Sequence, residues 1–101
     1  MIVESYYWTT HGTRRSAGLA EMSPSEYLTF LQSGADQYPP LVVQSVVQER
    51  DLVIVHRGSP LSGVRTHRDE CLFPHEEAAL DFAEAVRTVM SAPRTLYYGY
   101  L

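Results

Sequence analysis

Leu41-Val-Val-Gln-Ser-Val-Val-Gln-Glu-Arg-Asp-Leu-Val-Ile-Val-His56 is the stretch that decides the fold. Two β-branched runs flank the polar cluster Glu49-Arg50-Asp51. Such runs fit a pleated, half-buried surface, and a polar cluster between them marks a chain reversal. The segment reads as a β-hairpin over residues 41–56. Its turn lacks Asn-Gly or Asp-Gly, so the turn type is left open. Pro39-Pro40 forces an extended lead-in.

On the N-terminal side, Ser23-Pro24-Ser25-Glu26 matches a capping box. The serine hydroxyl accepts from the third helical N–H, and the glutamate reaches back to the cap. Pro24 takes the first helical position, where its missing donor costs nothing. Tyr27, Leu28 and Leu31 give an apolar face with Phe30 beside it, and Gly34 is the expected stop. Residues 10–22 read as a loop carrying Gly12, Gly18 and Arg14-Arg15. Ile2 to Thr9 reads as a strand with aromatic and β-branched residues on both faces.

On the C-terminal side, residues 57–74 are irregular, punctuated by Gly58, Pro60 and Gly63. Residues 64–67 and 71–73 each offer a short strand. A second helix is expected from Pro74, with Glu76 and Glu77 favourable to its dipole. Ala79, Phe82, Ala83, Val86, Val89 and Met90 follow helical spacing, and Pro93 prevents continuation. Leu96 to Leu101 reads as a final aromatic strand.

The expected order is strand, helix, strand, strand, helix, strand. That is the ferredoxin-like βαββαβ order: one α+β domain over residues 1–101, an antiparallel or mixed sheet, two helices on one face. The terminal strands then lie side by side, and Tyr6 and Trp8 pair with Tyr98 and Tyr100. A mixed sheet with an extra strand from 57–74 is the rival.

Composition fits one core. The chain has 101 residues, 45% of them hydrophobic and 20% charged. Twelve acids against eight bases give a net charge of −4, the wrong balance for gripping nucleic-acid phosphates or an anionic membrane. No apolar run approaches the ~20 residues of a spanning helix, and Met1 to Glu4 lacks a signal's basic start, so a cytoplasmic chain is expected. All basic residues are Arg, which removes Schiff-base and P-loop lysine chemistry. The single cysteine, Cys71, forms no internal disulfide and reads as a small apolar residue in a reducing compartment.

No pattern here specifies catalysis or a cofactor. His67, Cys71 and His75 are spaced by four, but along a strand the histidines would stand about 26 Å apart, too far to share a metal. Cys71 beside a histidine lacks the local context of a nucleophile and base. No cofactor and no metal are expected. Glu77, Asp81 and Glu84 read as an acidic outer helix face. Arg14 and Arg15 are candidate anion-binding residues, since guanidinium forks suit phosphate and carboxylate.

The aromatic terminal strands carry the functional expectation. Tyr and Trp combine apolar area with a polar handle and are enriched at interfaces. Tyr6, Trp8, Tyr98 and Tyr100, with Glu77, Asp81 and Glu84, are the expected partner-binding residues. The expected function is a non-catalytic protein-binding module, a small inhibitor such as an immunity or anti-defence protein acting by stoichiometric binding. Its expected partner is a basic protein, with homodimerisation through the sheet as a companion. The alternative is a small-molecule-binding or enzymatic ferredoxin-like dimer whose sheet-face pocket is lined by tyrosines and His56.

Overall fold

The computed structural model describes residues 1–9 and 12–91. The elements are β1 (Ile2–Trp8), β2 (Arg14–Glu21), α1 (Pro24–Ala35), β3 (Val42–Glu49), β4 (Leu52–Gly58), β5 (Arg65–Leu72) and α2 (Glu76–Ser91). They form an α+β domain around a five-stranded sheet in the order β2-β1-β5-β4-β3. Every neighbouring pair is antiparallel.

The ferredoxin-like order is not met. Two strands follow one another before α1, and three run in succession before α2. β1 pairs with β2 along one edge and β5 along the other. A strand has only two edges, so the expected side-by-side pairing of β1 with a terminal strand has no place. The expected strand at residues 96–101, with Tyr98 and Tyr100, lies outside the described residues.

The loop expected over residues 10–22 is mostly strand β2. All eight of its residues are exposed, so no apolar alternation advertises it. It exists because its backbone completes a ladder with β1, from Ile2 opposite Glu21 to Trp8 opposite Arg14. A bulge at Ala17, with Gly18 at φ +126°, breaks the register of this edge strand. Bulged edges with charged ends resist unwanted pairing.

Residues 57–74 are also more regular than expected. β4 runs to Gly58, β5 occupies residues 65–72, and only six residues join them. β5 is polar in sequence yet interior in the sheet. Its two short expected strands merge because Arg68 and Glu70 pair on one face, while Asp69 is neutralised on the other.

The hairpin at 41–56 stands as expected. Glu49 faces Leu52 across the two-residue turn Arg50-Asp51, with Arg50 at φ +56°. That geometry matches the twist of the flanking strands even without glycine. The capping box also forms: Ser23 Oγ accepts from Glu26 N–H at 3.1 Å, and Glu26 Oε1 accepts from Ser23 N–H at 3.0 Å.

Two helix boundaries differ. Gly34 does not end α1; it is buried, and its carbonyl accepts from Leu41 N–H at 2.9 Å, which docks the next segment on the helix. α2 begins at Glu76 rather than Pro74, because His75 Nδ1 accepts from Ala78 N–H at 3.2 Å and so caps the helix.

Both helices contribute to one core on one face of the sheet. Val3, Val53, Val55 and Cys71 meet Tyr27 and Leu31 of α1 and Ala79, Phe82, Ala83 and Val86 of α2. Each fully buried Val or Phe contributes about 1.5–3 kcal/mol. The Tyr27 and Phe82 rings meet edge-on at 5.4 Å, and Phe73 lies 5.0 Å from Phe82. α2 lies over β3 and β4, and α1 approaches β3. This offset leaves the helix side of β1 and β2 open and sets up the site.

Candidate functional site

Antiparallel register places side chains in rows across the sheet, because directly opposed residues share a face. One helix-side row reads Ala20, Val3, Cys71, Val53 and is apolar. The next reads Gly18, Ser5, Asp69, Val55. The third reads Arg15, Tyr7, His67, Arg57. Polarity therefore rises along the face, from core to one end of the sheet.

Asp69 is the centre of the polar part and is fully buried. Its Oδ1 accepts from Ser5 Oγ at 2.8 Å and from Arg57 Nη2 at 3.1 Å. Its Oδ2 accepts from Arg57 Nε at 2.8 Å and from the Tyr27 hydroxyl. Four donors satisfy both carboxylate oxygens, the condition under which a buried carboxylate is tolerated. Arg57 is only 5% exposed, and its guanidinium stacks 4.8 Å from the Phe30 ring centroid. That stack and the two-pronged bond to Asp69 hold it in one orientation.

A cleft of about 490 Å³ opens beside this network. Its floor comes from Val3, Ser5 and the small-residue run Ala17-Gly18 with Ala20. Its wall is α1, through Tyr27, Phe30, Ser33 and Gly34. Met22 closes the apolar part, and Arg57 and His67 line the polar end. The His67 ring lies 6.3 Å from that of Tyr7, and its Nδ1 is 2.8 Å from Thr66 Oγ1.

The ionisable groups follow their surroundings. Burial, and then the Asp69 charge, push the Tyr27 hydroxyl far above its ordinary value, so it stays a donor. Burial does the same to the Cys71 thiol, which leaves no ready thiolate for nucleophilic chemistry. Partial burial, and then the Arg57 charge, hold His67 below the ordinary imidazole value. His56, on the opposite sheet face, is lowered by burial and by Arg65 and Arg68.

The residues expected from sequence are scattered among several surfaces. Tyr6 and Trp8 lie on the sheet face opposite the helices, where Arg14 stacks 4.7 Å from the Tyr6 ring centroid. Arg15 lies on the helix side, so the adjacent arginines serve different faces. Glu77, Asp81 and Glu84 are exposed on α2, with Glu84 paired to Arg87 at 3.0 Å. This helix surface and the Tyr6–Trp8 surface are on opposite sides of the domain. His67, Cys71 and His75 do not converge: the first lines the cleft, the second is core, and the third caps α2. Among the described residues no group of three or more His, Cys, Asp or Glu could hold a metal ion. No helix of the described residues is long and apolar enough to cross a membrane.

Sequence reasoning missed Asp69, Arg57, Tyr27 and Ser5 as one unit. A signal was present. Arg57 follows Val53 and Val55 at two-residue steps, and Asp69 precedes Cys71 by the same step. An alternation that places a charge on the apolar face of each of two strands implies a buried pair. Comparisons with protein family models, with curated proteins and with solved structures find no match for this chain.

Proposed function

We propose that the protein is a non-catalytic binding module that inhibits a basic protein by stoichiometric contact, in the manner of an immunity or anti-defence protein. The observation that carries this reading is the sheet face opposite the helices. By register it presents Ile2, Tyr6 and Trp8 of β1, Leu72 of β5, Ile54 of β4 and Val47 of β3. Ile2, Leu72 and Val47 are 37%, 47% and 49% exposed, and no described helix covers this face. Aromatic and aliphatic side chains on one open face are the anatomy of an interface centre.

Charge supports a basic partner. The same face carries Glu4, Glu21, Glu49 and Glu70 against Arg14, Arg65 and Arg68, an excess of one acid, and Arg68 is bonded to Glu70 at 2.9 Å. Acids interleaved with the apolar side chains, as Glu4 and Glu70 are on the interior strands, favour encounter with a basic surface and disfavour acidic ones. The acidic face of α2 points the other way and forms a separate surface.

Affinity capture from host and competitor lysates tests the reading. The wild-type chain is compared with a Val47→Asp/Leu72→Asp variant and with a Glu77→Arg/Asp81→Arg variant. A basic partner held at one-to-one by the wild type and the helix variant, but lost by the sheet-face variant, supports the proposal. Retention by the sheet-face variant refutes it. A wild-type dimer in size exclusion with light scattering, abolished by Val47→Asp/Leu72→Asp, assigns the face to a second copy instead.

A further inference from the structure

The helix-side cleft is independent of that outer face. We propose that it binds a small organic monocarboxylate with an apolar body, the carboxylate at the Arg57–His67 end, with Arg15 on the same row beyond the lining, and the body in the cleft beside Phe30 and Met22.

Three observations carry this. The first is the state of Arg57. Asp69 occupies its Nε and Nη2, while Nη1 makes no hydrogen bond among the described residues. This almost fully buried guanidinium lines the cleft and is oriented by Asp69 and Phe30. A pre-oriented N–H donor with its charge partly spent favours one charge-assisted bond over a general cation site.

The second is the charge of the row. Asp69 offsets Arg57 within the lining, and the exposed Arg15, on the same row but outside the lining, leaves one positive charge beside the cleft. A single negative charge balances it; a phosphate dianion does not. His67 stands opposite Arg57 in register and adds a ring nitrogen, since among the described residues only its Nδ1 is engaged, by Thr66. Tyr7 continues the row toward Arg15 at the rim.

The third is the cleft's shape and lining. Its volume of about 490 Å³ falls in the range of about 300–1,000 Å³ that small-molecule sites occupy. Ala17, Gly18 and Ala20 line it with small residues together with Phe30, and Met22 adapts to irregular apolar shapes. The polar groups sit at one end, so a ligand with one charged end and one apolar end satisfies both halves.

The test uses the full chain, titrated with octanoate and with 3-phenylpropionate and followed by NMR. Primary amides of the same acids and inorganic phosphate are titrated in parallel. The expected result is saturable shifts at His67, Arg57, Phe30 and Met22 with at least one acid. The matching amide binds at least about tenfold more weakly, as expected for loss of a charge-assisted pair. Arg15→Gln weakens acid binding by about threefold to tenfold, and Arg14→Gln, on the opposite face, leaves it unchanged. Unfolding curves of both variants establish that they are folded. No saturation by either acid below about 10 mM, equal binding of acid and amide, or equal losses in the two arginine variants overturns the proposal. The outer sheet face takes no part in this titration, so its outcome leaves the protein-binding reading to its own test.

Discussion

Replacing Asp69 with Asn changes one buried oxygen to an amide and removes the carboxylate paired with Arg57 in the core. The cost follows from geometry. Both carboxylate oxygens receive donors only: Ser5 Oγ and Arg57 Nη2 on one, Tyr27 Oη and Arg57 Nε on the other. An Asn amide must turn its own N–H groups against one of these pairs. The Arg57 guanidinium, 5% exposed, keeps its charge without a counter-ion. Breaking a buried pair from one side costs about 3–5 kcal/mol. At about 4–8 °C per kcal/mol for a domain of this size, Tm falls by about 12–40 °C. Urea unfolding followed by circular dichroism, with the slope checked for constancy, measures the loss directly. The combined Arg57→Met, Asp69→Leu, Tyr27→Phe variant removes every orphan except the Ser5 hydroxyl at the cleft edge. It is expected within about 2 kcal/mol of the wild type, because apolar replacement of a buried pair is often neutral or stabilising. A loss below about 1 kcal/mol for Asp69→Asn, the range of an exposed pair, would refute the claim that this network is desolvated.

Gly58→Ala is expected to cost about 1–3 kcal/mol, since its Cβ would stand 2.0 Å from the Val64 carbonyl oxygen and 2.6 Å from Gln44 Nε2; an unchanged urea midpoint would show that the 59–64 loop yields freely. Ser23→Ala removes the acceptor for Glu26 N–H and is expected to cost about 1 kcal/mol, read from the same curves. Stability is expected to fall between pH 7.5 and pH 5. His56 and His67 are both lowered in the folded state, so the unfolded chain binds more protons in this window. Full stability holds from about one unit above the unfolded imidazole value near 6.5 and declines as pH drops through it. Glu26 acts in the acid range below this window: its lowered value gives stability that is lost as pH falls through its folded pKa. His67→Gln should flatten the decline between pH 7.5 and pH 5 and leave pH 8 stability less affected; an identical slope would remove His67 from the account.

The separation of Arg14 from Arg15 illustrates how the two sheet faces divide the work. Adjacent in sequence, they face opposite ways because a strand alternates its side chains. Arg14 joins Tyr6 on the face proposed for protein contact, while Arg15 ends the row beside the cleft. Read as a loop, the pair formed one anion site. Once β2 is in place, only one of the two can serve the cleft.

What the sequence alone determined were the features set by neighbours in the chain. The 41–56 hairpin follows from β-branched runs around a polar turn, and the α1 start follows from four residues, Ser23 to Glu26. The α2 face at Ala79, Phe82, Ala83 and Val86 follows from helical spacing. Tertiary structure alone decided the rest. β2 has no apolar face to show, and its strand state depends on hydrogen bonds to β1 rather than on burial. β5 is disguised because its buried side chains include Asp69, whose partners Ser5, Tyr27 and Arg57 lie 64, 42 and 12 residues away. A buried charge is tolerated only where distant donors converge on it, and no local pattern encodes that convergence.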